Sequence, residues 1–258
     1  MLYQNILDEF VTVSKDIIRE GLTGIYLHGS MAMNCFNPAK SDIDLIIVIE
    51  HDITDVQKME FMKQVVQLNE KATAKGLEIS IVKRECCKPF VYPTPFEFHF
   101  SSMHLQWFYD NPENYVENMK GVDNDLAAHF TIMNKYGIVL YGEQIENVFG
   151  EVPQKDYIDS IWLDVKGARE AIEEEPMYMI LNLCRVLAFL KEDMYLSKQQ
   201  GGEWAIGYMP KKYHPLIVQA LDSYGTSQMM EVDMELAGQF ADEMLTSITF
   251  EKEQIGKE

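Results

Sequence analysis

Leu2, Ile6, Phe10, Val13 and Ile17 recur at steps of three and four, which lays an apolar stripe along one side of a helix over residues 2–20, closed by Gly21. Two short apolar runs then change the period. Residues 24–28 (Gly-Ile-Tyr-Leu-His) are bounded by glycines, and residues 43–49 (Ile-Asp-Leu-Ile-Ile-Val-Ile) are rich in β-branched side chains, the make-up of buried strands. Helical spacing returns over 54–74 through Val56, Met59, Phe61, Val65, Val66 and Leu68, with Thr54 as N-cap and Gln57 three residues on to complete a capping box. Residues 77–82 are a third strand, whose alternation sets Glu78 and Ser80 on the face opposite Leu77, Ile79 and Ile81. The first ninety residues therefore read α-β-α-β-α-β.

Residues 89–95 hold three of the nine prolines and cannot be helix, so they form an ordered loop that leads to an edge strand at 96–100. Beyond it the strand signal fades. Helical spacing covers 123–140, 157–174, 177–195, 203–223 and 231–252, with Gly142, residues 150–153 and Gly201-Gly202 as breaks. The expected plan is two domains, 1–150 with strands and helices and 151–258 as a helical bundle, with no internal repeat.

Composition narrows the class. The chain has 258 residues, 47% hydrophobic and 24% charged, enough to bury a core without disulfides or a structural metal. Acidic residues outnumber basic ones by 41 to 22, for a net charge of -19. That field repels nucleic acid and anionic lipid and favours a cationic partner. Cys35, Cys86, Cys87 and Cys184 match neither a disulfide framework nor a Cys-x-x-Cys metal clip and read as reduced thiols. The N-terminus lacks the basic and apolar regions of a signal peptide, and no apolar run approaches ~20 residues. A cytoplasmic, membrane-free monomer is expected. The six histidines form no HExxH pair, which argues against a zinc hydrolase.

The chemistry concentrates in one stretch. Asp42 and Asp44, at i and i+2 at the start of a buried strand, point to the same side and can reach one divalent ion or a close pair. Two like charges on a hydrophobic strand are costly unless a cation compensates them, and hard oxygen ligands suit magnesium with nucleotide phosphates completing the shell. Glu78 supplies a third carboxylate from the next strand, on a face compatible with the same direction. Gly29-Ser30 falls at a strand-to-helix turn, where free amides attract anions, glycine lets a phosphate come close and a hydroxyl can donate to it.

His28-Gly29-Ser30, residues 41–45 (Ser-Asp-Ile-Asp-Leu) and residues 77–79 (Leu-Glu-Ile) resemble the nucleotidyltransferase superfamily typified by DNA polymerase β, and most closely the aminoglycoside adenylyltransferases that modify streptomycin and spectinomycin. Residues 180–190, 196–198, 203–205 and 209–213 are similar in order and spacing to the helical C-terminal domain of that family, so the resemblance covers nearly the whole chain. It implies an α+β protein: a polymerase β-like nucleotidyltransferase domain with a mixed sheet, then a helical substrate-binding domain. It also implies that Asp42 and Asp44 hold magnesium and that Glu78 is general base or third metal ligand. Lys198 would reach the phosphates of ATP along with Gly29 and Ser30, and the cationic drug would lie between the domains. The family's acidic contacts to the drug correspond to the run 173–175, so Glu174, Glu175 and Tyr178 would bind the acceptor, although the same acids equally suit a helix N-terminus before Pro176. The family's Phe-Gly-Glu-Trp segment is Phe100-Ser-Ser-Met103 here, so Trp107 would have to supply its aromatic surface.

Transfer of AMP from ATP to a hydroxyl of an aminoglycoside-type acceptor, with release of pyrophosphate, is the expected function. The alternatives are a protein adenylyltransferase of antitoxin type, whose chains are usually shorter, and a non-catalytic nucleotide-binding module, which should have lost a carboxylate. His28, His99 and Glu97 could line the cleft or simply pack. Cys86-Cys87 reads as core or loop.

Overall fold

Each amphipathic or apolar stretch near the N-terminus becomes the element its period dictates, in a computed structural model that describes residues 3–226 and 230–256. Leu2 of the expected stripe lies outside those residues. The chain forms two units, Met1–Val152 and Pro153–Glu258.

The first unit opens with α1 (Gln4–Ile18), a 3-10 turn, β1 (Leu22–Leu27), the single-turn α2 (Gly29–Ala32) and β2 (Ile43–Ile49). α3 (Asp55–Lys71) follows, capped as expected: Thr54 Oγ1 accepts from the Gln57 amide at 3.3 Å, and Gln57 Oε1 accepts from the Thr54 amide at 3.1 Å. Then come β3 (Leu77–Lys83), α4 (Arg84–Cys87), β4 (Thr94–Phe96), β5 (Phe98–Phe100), α5 (Leu105–Asp110), α6 (Pro112–Asn118), β6 (Gly121–Asp123), α7 (Leu126–Tyr136), β7 (Ile138–Gly142) and α8 (Ile145–Val148). Among the described residues the main sheet runs β5-β3-β2-β1-β7, parallel between β2 and β3 and antiparallel elsewhere, while β4 and β6 pair apart. The sheet is therefore mixed, with α3 making the crossover between its parallel pair.

Both faces of the sheet are covered, and alternation along β2 sorts its side chains between them. Ile43, Leu45, Ile47 and Ile49 pack with α1 and α3, in one core with Phe10, Phe61 and Val65. Ile46 and Val48 pack on the other face with Tyr26, Val82 and the α7 residues Leu126, Phe130 and Met133. Asp44 has the parity of Ile46, so it faces α7.

Two expectations are corrected here. Residues 123–140 are not one helix: Gly137 ends α7, and the next five residues are β7, paired with β1 through Val139 opposite Tyr26 and Ile138 opposite Leu27. The apolar run that extended the helical period is instead an edge strand. Residues 105–118, given no element from sequence, are α5 and α6, the second opened by Asn111 as N-cap and Pro112 in its first turn.

The second unit comprises α9 (Gln154–Val165), α10 (Ala168–Ala171), α11 (Pro176–Glu192), α12 (Lys198–Tyr208), α13 (His214–Gly225) and α14 (Met234–Ile255). α11 is its centre, buried from Met179 to Leu190 except for Arg185, with α9, α12, α13 and α14 around it. Gly201 and Gly202 do not break the chain; they lie buried inside α12. A Cβ on Gly201 would come within 2.9 Å of Arg185 Cβ, and one on Gly202 within 2.8 Å of Leu181 Cδ2, so glycine is what lets α12 approach α11. The break falls at Pro210, dividing the expected 203–223 helix into the end of α12 and α13. Among the described residues no helix is long and apolar enough to cross a membrane.

Candidate active site

The N-terminal ends of β2 and β3 carry the site. In the parallel register Asp44 stands directly opposite Glu78, and Asp42 precedes the strand by one residue. One carboxylate oxygen from each of Asp42, Asp44 and Glu78 lies within 4.8 Å of the other two, and all three residues are partly buried. Three acids this close repel one another. The Glu78 carboxyl accordingly rises to about 7, first because burial disfavours its charge and then through Asp42, Asp125 and Asp123, with His129 pulling the other way. A divalent cation would relieve that repulsion, and a convergent all-oxygen donor set fits magnesium.

β1 ends against this cluster. The His28 amide donates to the Asp44 carbonyl at 3.0 Å, and Gly29 then turns the chain into α2 with φ 62°. A side chain on Gly29 would overlap the Asp44 carboxylate, so glycine is required both by the backbone angle and by the neighbouring acid. Ser30 follows, its Oγ buried with no hydrogen-bond partner in the protein. A buried hydroxyl beside a left-handed turn is an unused donor where a phosphate oxygen would be welcome.

Histidines surround the acids, and one was not singled out from the sequence. His129, on α7, sets Nε2 3.2 Å from Asp125 Oδ2, and its ring centroid is 4.8 Å from that of His28. Burial works against its positive charge, but Asp125, then Glu78 and Asp44, raise its pKa to about 10. His28 is buried and pushed well down, by that burial and by the charge on His129. His99, opposite Ser80 on β5, brings Nδ1 to 3.0 Å from Ser80 Oγ and drops to about 4 through burial, with His104 and His129 adding to it. The signal available was the spacing: Asp125 and His129 at i and i+4 share a helix face. Glu97, by contrast, is buried in ion pairs with Lys83 and with Lys120, the latter at 2.8 Å.

The remaining expected residues are placed as follows. Trp107 is exposed on α5, donating Nε1–H to Asn114 Oδ1 at 2.9 Å and meeting the Tyr115 ring edge-on at 5.1 Å. In the second unit Glu174 and Glu175 are exposed just before α11, with Glu175 at the N-cap position and making no side-chain cap bond. Tyr178 and Lys198 come together, the lysine Nζ lying 4.5 Å from the tyrosine ring centroid.

Residues 8–104 match the nucleotidyltransferase domain, and residues 147–247 match the aminoglycoside adenylyltransferase C-terminal domain. The chain is 21% identical over 221 residues to spectinomycin 9-adenylyltransferase of Campylobacter jejuni, covering 84% of both chains. It is 22% identical over 224 residues to an aminoglycoside (3'')(9) adenylyltransferase of Klebsiella pneumoniae, again with 84% of both covered. The fold is shared with a spectinomycin adenyltransferase from Enterococcus faecialis, solved with ATP and spectinomycin, at a TM-score of 0.83 and 17% identity over 95% of this chain and 98% of that one. The chain therefore carries a nucleotidyltransferase domain that holds the convergent acids, followed by an aminoglycoside adenylyltransferase C-terminal domain.

Proposed function

We propose that this protein moves AMP from ATP to a hydroxyl of a small cationic antibiotic of the aminoglycoside or spectinomycin kind, in a magnesium-dependent reaction that releases pyrophosphate. The observation that carries this reading is the meeting of Asp42, Asp44 and Glu78 beside the Gly29-Ser30 turn. Asp42 and Asp44 would hold magnesium, with Glu78 as a third ligand or as base. Bound there, the metal supplies neutralisation of phosphate charge and a template for in-line displacement.

The chain's own residues do the rest. Gly29 presents backbone to the triphosphate without a Cβ in the way, and Ser30 Oγ donates to a phosphate oxygen. Glu78, within the site and with a carboxyl pushed up from its ordinary range, takes the proton of the attacking hydroxyl. Lys198 provides a cation for the phosphates, while Glu174, Glu175, Tyr178 and Trp107 serve the acceptor. The net charge of -19 draws a polycationic drug toward the surface.

The test is pyrophosphate release with ATP, magnesium and spectinomycin as acceptor. Asp44→Asn and Glu78→Gln should each lower turnover by about a thousandfold with the fold unchanged by circular dichroism. Turnover in either variant equal to the parent protein's would remove that residue from the mechanism.

A further inference from the structure

The second unit contains a partly buried polar cluster, one member of which, Tyr178, reaches Lys198. Tyr178, Asn182 and Arg185 recur at steps of four and three, so they line one face of α11. Asp164, near the end of α9, meets that face: the Tyr178 hydroxyl donates to Oδ1 at 3.2 Å, Asn182 Nδ2 donates to Oδ2 at 2.6 Å, and Arg185 Nη2 stands 3.8 Å from Oδ2. Asn182 is wholly buried, and its Oδ1 has no hydrogen-bond partner. Apolar side chains could join α9 to α11 without wholly burying the Asn182 amide. The arrangement therefore calls for a purpose other than packing.

That purpose is visible in what Tyr178 holds. Tyr178 is tied through its hydroxyl and presents its ring face to the Lys198 ammonium, 4.5 Å from the ring centroid. The backbone of Lys198 is fixed as well. Ser197 Oγ accepts from the Gln200 amide at 3.2 Å, Gln200 Oε1 accepts from the Ser197 amide at 3.0 Å, and Gly201 seats this end of α12 against Arg185. A lysine side chain otherwise carries several freely rotating bonds.

We propose that Asp164 and Tyr178 are positioning residues for Lys198: the carboxylate fixes the phenol, and the ring fixes the ammonium. The inference rests on the reading of Lys198 as a phosphate-binding cation.

The experiment measures binding of magnesium with an ATP analogue that has a methylene between the α- and β-phosphates, by calorimetry on the full chain. Lys198→Met should weaken binding by at least about tenfold, and Tyr178→Leu and Asp164→Asn by about three- to tenfold, while Tyr178→Phe, which keeps the ring face but loses the bond to Asp164, should fall to the level of Asp164→Asn. Adding Tyr178→Leu to Lys198→Met should weaken binding no further, because the ring acts through the lysine. The inference is overturned if Lys198→Met loses affinity while folded Asp164→Asn and Tyr178→Leu do not, or if the double variant shows both losses in full. Undiminished binding by Lys198→Met would instead remove the phosphate role on which the inference stands, and the inference with it.

Discussion

Gly29 and Asp44 constrain each other more tightly than any other pair in the site. The left-handed turn at φ 62° and the acid lying where a Cβ would go make Gly29→Ala doubly unfavourable. We expect this variant to lose about 1–3 kcal/mol of stability in denaturant melts and at least tenfold in pyrophosphate release. A variant as stable and active as the parent would show that the turn is not held against the carboxylate. Metal addition probes the acids directly. Magnesium should raise the melting temperature of the parent protein and leave Asp42→Asn and Glu78→Gln nearly unmoved, because removing one ligand removes the compensated repulsion as well. Equal shifts in all three would place the ion elsewhere. At this scale the convergence of the three acids is legible from residue type and spacing, since i, i+2 acids at the start of an apolar strand have few structural uses. His129 was not, because a histidine four residues from an aspartate is common on helix faces, and its meaning comes from the tertiary contact of α7 with α2 and the sheet.

Elements decide which face the acids occupy and how firmly the sheet edge is held. The α3 cap and the β2 and β3 strands follow from local period and capping chemistry and are legible in the sequence, β3 to within one residue, whereas the parallel pairing of the two strands comes from the structure alone. β7 was missed because five half-exposed residues after a helix look like its continuation, and only pairing with β1 makes them a strand. Gly201-Gly202 misled for the opposite reason: the pair looks like a break, yet close packing of two helices demands it. Replacing Gly201 by Ala should therefore cost about 2–3 kcal/mol, more than the favourable helix propensity of alanine returns, and a stabilised variant would contradict this.

The β7 edge is also tied by charge. Arg84 bridges Glu50 at 3.1 Å and Glu143 at 2.5 Å, and Thr23 donates to Glu50 at 2.8 Å. The Thr23 bond, then Arg84, hold the Glu50 carboxyl below its usual value. A lowered carboxylate stabilises the fold above the ordinary glutamate pKa and loses that contribution as pH falls through the lowered one. The melting temperature of the parent protein should thus exceed that of Arg84→Met at pH 7, and the gap should close under acid. A gap unchanged down to pH 3 would show that Arg84 acts by packing alone.

At the scale of the whole molecule, the chain carries a nucleotidyltransferase domain, a helical unit and a net charge of -19, which favours the cationic acceptor proposed above. The charge excess predicts that the KM for such an acceptor rises severalfold between about 0.02 and 0.2 M salt, while that for anionic ATP does not rise, as stopped-time assays would show. The order of the two units was visible in the change of hydrophobic period along the chain. The identity of the proposed acceptor is not, because it depends on side chains that several elements supply. Mass spectrometry of an aminoglycoside and spectinomycin panel, incubated with this protein, ATP and magnesium, tests the central claim most directly. The account predicts one or more drugs heavier by a single AMP, formed only with the three carboxylates intact; a panel that stays unmodified while labelled AMP appears on protein, or nowhere, would contradict it.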